Sequence, residues 1–172
     1  MPESRRPQPL TQPPHPPEPK PPALSRSRLH QLMMPEHANM LGTVHGGEIM
    51  KLVDEVAAIC AMRHAQRTCV TLSVDSMTFR SPVHVGQVIQ LDACVQYVGR
   101  TSMEIGVEVQ AEDPIRGVVT HTNSAHIVFV AIGEDGHPVE VPRLILETAQ
   151  DREHFAAGER RQRARKQRAG SP

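Results

Sequence analysis

Asp54 is the residue of this chain whose setting most strongly indicates chemistry. Leu52 and Val53 precede it and Val56 follows shortly after, so a carboxylate stands inside a stretch of side chains that prefer burial. Removing a lone carboxylate from water costs several kcal/mol, so a buried Asp54 must be paired, protonated or catalytically active. An aspartate within a helix is also commonly an ordinary surface residue, and the pattern alone does not separate the two interpretations.

A second candidate lies just before this stretch, where Gly46 and Gly47 follow a loop that contains Asn39. Glycines let a ligand approach the backbone closely, and the unpaired N–H groups at the start of a helix favour developing negative charge. Such groups can hold the oxyanion of a carbonyl under attack, with Asp54 two turns further on. The simpler interpretation of the two glycines is a tight turn from loop into helix.

The elements that position these residues follow from hydrophobic periodicity. The segment from Glu48 to about Ala65 is apolar nearly all round, which predicts a buried helix. Later runs that alternate with period two are typical of strands, and they lie at Val70–Val74, Ile89–Tyr97, Met103–Val109 and Ala125–Ala131. A leading strand is expected near Leu29–Met34. The sequence thus predicts an α+β fold in which a long buried helix is wrapped by a curved antiparallel β-sheet.

Composition divides the chain into three parts. Residues 1–28 hold ten of the sixteen prolines and a net charge of +3, and they are predicted to form a disordered Pro-rich tail or, alternatively, a ligand for a Pro-binding module. Residues 29–149, with a net charge of −7, form the predicted ordered domain. Residues 150–172 carry +4 and are predicted to be a basic C-terminal helix and tail, with the helix spanning about Leu144–Lys166.

Several classes of protein are excluded at this stage. No apolar run approaches the ~20 residues that cross a bilayer and no charged-then-apolar leader begins the chain, so we expect a cytoplasmic protein with no membrane partner. Three Phe, one Tyr and no Trp cannot supply a stacking platform for nucleic acid. The ten histidines are scattered, which disfavours a metal site, and the three cysteines are expected to be buried reduced thiols. The Gly-x-Ser-x-Gly and phosphate-loop motifs are absent from the sequence.

From about Met34 to Pro142 the sequence resembles the hot-dog-fold acyl-CoA thioesterases of the cytosolic acyl-CoA hydrolase type, in the form with a single hot-dog domain. The stretches that carry the resemblance are Pro35–Asn39, His45–Gly47, Lys51–Glu55, Cys69–Asp75, Phe79–Val83 and Gly99–Glu104. The first pair of stretches and the Arg-Thr-Ser-Met-Glu run are the specific ones, whereas alternating strands would fit many small β-rich domains.

The resemblance implies hydrolysis of acyl-CoA to a free fatty acid and CoA, without a metal or cofactor. It implies that Asp54 and Asn39 are the catalytic pair and that they meet across the interface of two hot-dog units. The chain would then form at least a homodimer, and the family commonly stacks dimers into hexamers. The implied CoA contacts are Thr71, Leu72, Ser73, Arg100, Thr101 and Ser102, with Arg160 or Arg161 reaching a phosphate.

The residues leave several points open. Gly46 or Gly47 could polarise the thioester carbonyl, while Asp54 serves either as general base on water or as a nucleophile that forms a mixed anhydride. Acyl-chain length is not encoded in any motif. A non-catalytic hot-dog module that binds acyl-CoA as a regulator is the alternative, although such a module has no use for a buried carboxylate.

Overall fold

The computed structural model describes residues 17–169 of the chain. Within that range a five-stranded antiparallel sheet has the strand order β1-β3-β4-β5-β2, and α1 packs on one of its faces. The strands are β1 (Ser27–Leu32), β2 (Thr68–Phe79), β3 (Val88–Val98), β4 (Ser102–Asp113) and β5 (Val118–Ile132). The helices are α1 (Gly46–Ala65) and α2 (Ala149–Ala169), with short 3-10 turns at Pro22–Ser25 and Pro35–His37. The predicted α+β architecture is confirmed.

The core forms where the apolar face of the sheet meets α1. Alternate residues of the central strands point at the helix, so that Leu91 of β3 and Ile105 of β4 are 1% and 0% exposed. Small side chains on α1, including Cys60 and Ala61, let the helix approach the sheet closely, and both are fully buried. The predicted burial of this helix is therefore confirmed. Its close packing fixes the position of α1 and of the side chains that the helix carries.

The prediction of a disordered tail up to residue 28 is wrong for residues 17–28. Ser27 pairs with Ala93 at the start of β1, and the backbone N–H of Lys20 donates to the carbonyl of Arg143 at 3.0 Å. Ser25 is fully buried, and its hydroxyl donates to the Pro22 carbonyl at 2.9 Å. Backbone pairing orders this segment although it is poor in large apolar side chains. Residues 1–16, the remainder of the predicted tail, lie outside the described residues.

The C-terminal helix begins five residues later than the sequence predicted. Before it the chain runs beside the N-terminal segment, where the N–H of Ile145 donates to the carbonyl of Lys20 at 3.1 Å. Thr148 then caps the helix: its Oγ1 accepts from the N–H of Asp151 at 3.0 Å, and its own N–H donates to the Asp151 carboxylate at 2.9 Å. From this reciprocal cap α2 runs along the face of the sheet opposite α1, against β3.

Residues 17–169 include no helix with the length and apolar character that crossing a membrane requires.

Candidate active site

Asp54 lies on α1 at the edge of the core, half-buried and hydrogen-bonded. Its Oδ1 accepts from the hydroxyl of Thr71 at 2.8 Å, which joins α1 to the edge strand β2. A bulge in β2 permits this contact, because Thr71 pairs with Phe129 and Ser73 with the adjacent Val128, leaving Leu72 as an extra residue. Thr71, predicted as a CoA contact, is thus positioned to orient the carboxylate.

The first turn of α1 distinguishes the two glycines that the sequence grouped together. The N–H of Gly47 donates to Nδ1 of His45, the N-cap residue, at 3.0 Å. The N–H of Gly46 makes no hydrogen bond to any part of the chain that the structure describes. Gly46 borders a groove of about 270 Å³ whose lining includes Ile49 and Phe79. Of the two predicted donors, the Gly46 amide is the one free to bind a carbonyl oxygen.

Asn39 is held rigidly in the loop before α1. Its Nδ2 donates to Thr43 Oγ1 at 2.9 Å, and its Oδ1 accepts from the N–H groups of Leu41 at 2.8 Å and Thr43 at 3.3 Å. Gly42 closes the loop with a φ of +77°, a conformation that favours glycine. Within residues 17–169 no hydrogen bond connects Asn39 with Asp54, so one protomer does not bring the predicted catalytic pair into contact.

Some of the predicted CoA contacts line a second groove, of about 390 Å³, between the sheet and α2. Leu72, Ser73 and Ser102 contribute to it, together with Arg165 and Lys166 of the helix. The sequence analysis did not predict Arg165 or Lys166 as CoA contacts, because the basic run of α2 does not indicate which of its cations face the sheet.

The remaining predicted contacts lie elsewhere. Arg100 is exposed and 3.9 Å from the carboxylate of Glu140, and the carbonyl of Thr101 accepts from the N–H of Ala131. Arg160 is exposed. Arg161 points into the protein, where its guanidinium is 2.6 Å from a buried acid, Glu104. These residues do not line the groove in the single chain.

Other chemistries find no support in the arrangement of the polar groups. Ser124, His121 and Glu108 come together on the α2-facing side of the sheet, but the serine and the glutamate both contact His121 Nε2, at 3.2 and 2.6 Å. A hydrolytic triad needs the acid on the other ring nitrogen. Within residues 17–169 no three His, Cys, Asp or Glu side chains are grouped as metal ligands. The three cysteines are free, as the sequence predicted, but the predicted burial holds for Cys60 alone, since Cys69 and Cys94 are only half-buried.

The chain is similar in sequence to several known proteins. The profile of the thioesterase superfamily matches residues 41–132. Protein VdlD of Helicobacter pylori is 42% identical over 112 residues, covering 65% of this chain and 64% of that protein. The cytosolic acyl coenzyme A thioester hydrolase of Mus musculus is 36% identical over 154 residues, covering 88% of this chain and 40% of the mouse protein. The chain therefore spans less than two-thirds of either relative.

Solved structures show the same fold over most of the chain. A hexameric acyl-CoA thioesterase in its apo form superimposes with a TM-score of 0.85 at 35% identity, covering 90% of this chain and 99% of that one. The acyl-CoA hydrolase of Staphylococcus aureus, solved with butyryl-CoA, CoA and CoA disulfide, gives 0.81 at 31% identity, covering 89% and 93%. That enzyme has also been solved with an aspartate, an asparagine or a threonine replaced by alanine.

A helix wrapped by a five-stranded antiparallel sheet is a hot-dog fold, and the chain shares it with the hexameric acyl-CoA thioesterase. The chain belongs to the thioesterase superfamily, which confirms the resemblance drawn from its motifs.

Proposed function

We propose that the protein hydrolyses the thioester of acyl-CoA to a free fatty acid and CoA. The observation that carries this proposal is the carboxylate of Asp54, held by the Thr71 hydroxyl at 2.8 Å on the helix whose first turn offers the free Gly46 amide. Acyl transfer to water requires a carboxylate and an oxyanion donor, and α1 carries both. The two lie about 12 Å apart along the helix, so each would act together with the other group of a second subunit. The related enzymes that act on acyl-CoA support the choice of substrate.

The positions of the polar residues give independent support. The aspartate, asparagine and threonine replaced in the Staphylococcus aureus hydrolase are separated along that chain by the same intervals as Asp54, Asn39 and Thr71 are here. We infer that the three residues act together in this protein, with Thr71 as the residue that orients Asp54.

The proposed reaction needs only water and these groups. The N–H of Gly46 of the partner subunit polarises the thioester carbonyl, and Asp54 removes a proton from the water that attacks its carbon. The C–S bond then breaks, and the CoA thiolate leaves and takes up a proton. In the alternative route Asp54 itself attacks, and water hydrolyses the resulting mixed anhydride. Neither route includes a metal or cofactor.

The site is completed, in this proposal, by a second copy of the chain. The edge strand β2 exposes Val70, Leu72 and Val74, and α1 exposes Met50 and Met62 beside it, each at 41% or more. A long edge strand with apolar side chains is a surface on which another strand pairs. Pairing there would bring Asn39 of the partner subunit to Asp54. The hexameric relative supports an assembly of stacked dimers.

Cytoplasmic location is part of the same proposal, because acyl-CoA is its substrate and the mouse relative is named as cytosolic.

The test replaces Asp54 with asparagine and follows release of free thiol from a series of acyl-CoA chain lengths. Asn can still accept the Thr71 hydrogen bond, so the variant should fold normally while its turnover falls at least about a hundredfold. Glu55→Gln, one residue away and exposed, is the matched control and should retain activity. Full activity of Asp54→Asn would overturn the proposal, and acyl-CoA binding by the wild type without thiol release would favour a regulatory module.

A further inference from the structure

Glu104 is a buried acid that the proposed reaction does not use. It lies on β4 between Met103 and Ile105, which point into the core, and its own side chain points to the opposite face with 0% exposure. Placing a carboxylate there costs several kcal/mol unless partners satisfy both of its oxygens.

Two arginines of α2 supply those partners. Arg161 directs Nε and Nη2 to Oε1 of Glu104, at 2.8 and 2.6 Å. Arg165, one turn further along the same helix face, donates from Nη1 to Oε2 at 2.7 Å. Both carboxylate oxygens are thereby occupied by charge-assisted hydrogen bonds.

Arg165 also pairs with a second acid, and part of its guanidinium remains available to donate hydrogen bonds. Its Nη1 also lies 3.1 Å from the carboxylate of Asp75 on β2, so two acids fix one end of the guanidinium. Its Nε and Nη2 make no hydrogen bond within residues 17–169, and the side chain lines the groove beside Lys166. Because the guanidinium is planar and rigid, fixing one of its nitrogens also fixes the direction in which the other N–H groups point.

The helix can come this close to the sheet because residue 158 is glycine. A Cβ at Gly158 would lie 2.5 Å from Cβ of Tyr97 and 3.1 Å from Oε1 of Glu104. The chain thus keeps a side-chain-free position at the point where α2 crosses over Glu104.

We propose that Glu104 is a positioning residue: it holds Arg165 so that its free guanidinium edge, with Lys166, binds a phosphate group of CoA in the groove that Ser73 and Ser102 also line. This inference rests on the proposed function. It assigns the phosphate contact to Arg165 and Lys166 rather than to Arg160 or Arg161. A buried ion pair contributes little net stability compared with apolar residues of the same size, so docking of α2 alone does not account for a carboxylate at this position, whereas orientation of Arg165 does.

The experiment compares two substrates in the full-length protein. Acyl-CoA carries phosphates, whereas the N-acetylcysteamine thioester of the same acyl group carries none. Glu104→Gln should raise KM for acyl-CoA about tenfold, through loss of one oriented charge-assisted contact, with kcat changed less than about twofold. KM for the phosphate-free thioester should stay within about twofold of wild type, since no phosphate is bound. Glu108→Gln, on the same strand and face but exposed, is the matched control.

A second variant keeps the test decisive if Glu104→Gln folds poorly. Arg165→Gln should raise KM for acyl-CoA alone, and adding Glu104→Gln to it should cause no further rise, because both changes remove one interaction. Arg165→Lys, which keeps the charge and loses the planar fork, should recover less than half of the affinity lost in Arg165→Gln.

Three outcomes would overturn the inference: an unchanged KM for acyl-CoA in both variants, equal losses on the two substrates, or additive effects in the double variant. Calorimetric binding of CoA separates this inference from the proposed function. If the wild type binds CoA but hydrolyses neither thioester, the proposed function fails, and the CoA dissociation constants of the same variants still decide the role of Glu104.

Discussion

The two faces of the sheet hold their helices by different forces. On one face α1 is packed by apolar side chains, with Val56, Ala57 and Cys60 fully buried against the strands. On the other face α2 is attached through Glu104 and Asp75, whose carboxylates meet the arginines of the helix. Shape therefore fixes α1, with Asp54 and Gly46, whereas charge fixes α2 and the guanidinium of Arg165. Apolar packing thus positions the carboxylate that we propose as catalytic, and ion pairs position the cation that we propose for an anionic ligand.

The largest expected difference between the faces is in stability. Phe129 is 1% exposed on the α1 side, and Phe129→Ala should lower the free energy of unfolding by about 3–5 kcal/mol through the cavity it leaves. Phe155 on α2 is half-buried, with its ring centroid 4.9 Å from that of Tyr97, and Phe155→Ala should cost about 1–2 kcal/mol. Urea unfolding followed by circular dichroism measures both, and equal losses would contradict the comparison.

The next effect is a pH dependence that comes from the end of α1. His64 is fully buried, its Nε2 lies 2.9 Å from the Pro142 carbonyl, and burial lowers its pKa to about 4. The unfolded chain therefore binds more protons between about pH 6.5 and 4, so the free energy of unfolding should rise with pH across that window. The full change for this one group is about 3 kcal/mol. His64→Gln should flatten the profile measured by urea unfolding, and an unaltered slope would contradict this assignment.

A smaller effect is expected where α2 crosses the sheet. Gly158→Ala places a methyl group 2.5 Å from Cβ of Tyr97, which should cost about 1–3 kcal/mol of docking energy, reduced by the gain of about 1 kcal/mol in helix propensity. Because α1 does not depend on this contact, the core should stay folded while the backbone amides of α2 exchange hydrogen faster. Ala156→Val, at an exposed position of the same helix, is the control. Unchanged exchange in Gly158→Ala would contradict the close approach.

The smallest effect concerns the thiols. Burial raises the pKa of Cys60 to about 12 and raises the pKa of Cys94 as well, so neither thiol should react readily with iodoacetamide at pH 8. Cys94 on the α2 side is partly exposed and Cys60 on the α1 side is not, so Cys94 should be alkylated first. Mass spectrometry of timed samples gives the order, and faster labelling of Cys60 would show that α1 opens more easily than α2.

The α1 side of the molecule could be predicted from the sequence because its information is local. Apolar side chains at helical and strand spacing marked α1 and the four later strands, and the interruption at Asp54 marked the candidate carboxylate. The choice between Gly46 and Gly47 could not be predicted, because it depends on the ring of His45 accepting one of two equivalent N–H groups.

The α2 side could not be predicted to the same extent, because its contacts join residues far apart in the chain. Glu104 occupies a position that alternation assigns to solvent, and only the crossing of α2 buries it. Periodicity places Arg161 and Arg165 on one helix face but does not say which face meets the sheet. The order in residues 17–28 was missed for a related reason, since Lys20 and Ser27 are held by backbone pairing with segments far away in the chain, around Arg143 and Ala93.

The central claim is that Asp54 and Asn39 act together across two subunits, and mixing two inactive variants tests it most directly. The Asp54→Asn and Asn39→Ala variants carry different tags and are purified separately. They are then mixed in equal amounts and allowed to exchange subunits. Each mixed dimer then holds one intact site of two, so thiol release from acyl-CoA should recover to about a quarter of the wild-type rate. A mixture that stays inactive after the two chains have been unfolded and refolded together, while wild type treated in the same way regains its rate, would contradict the account.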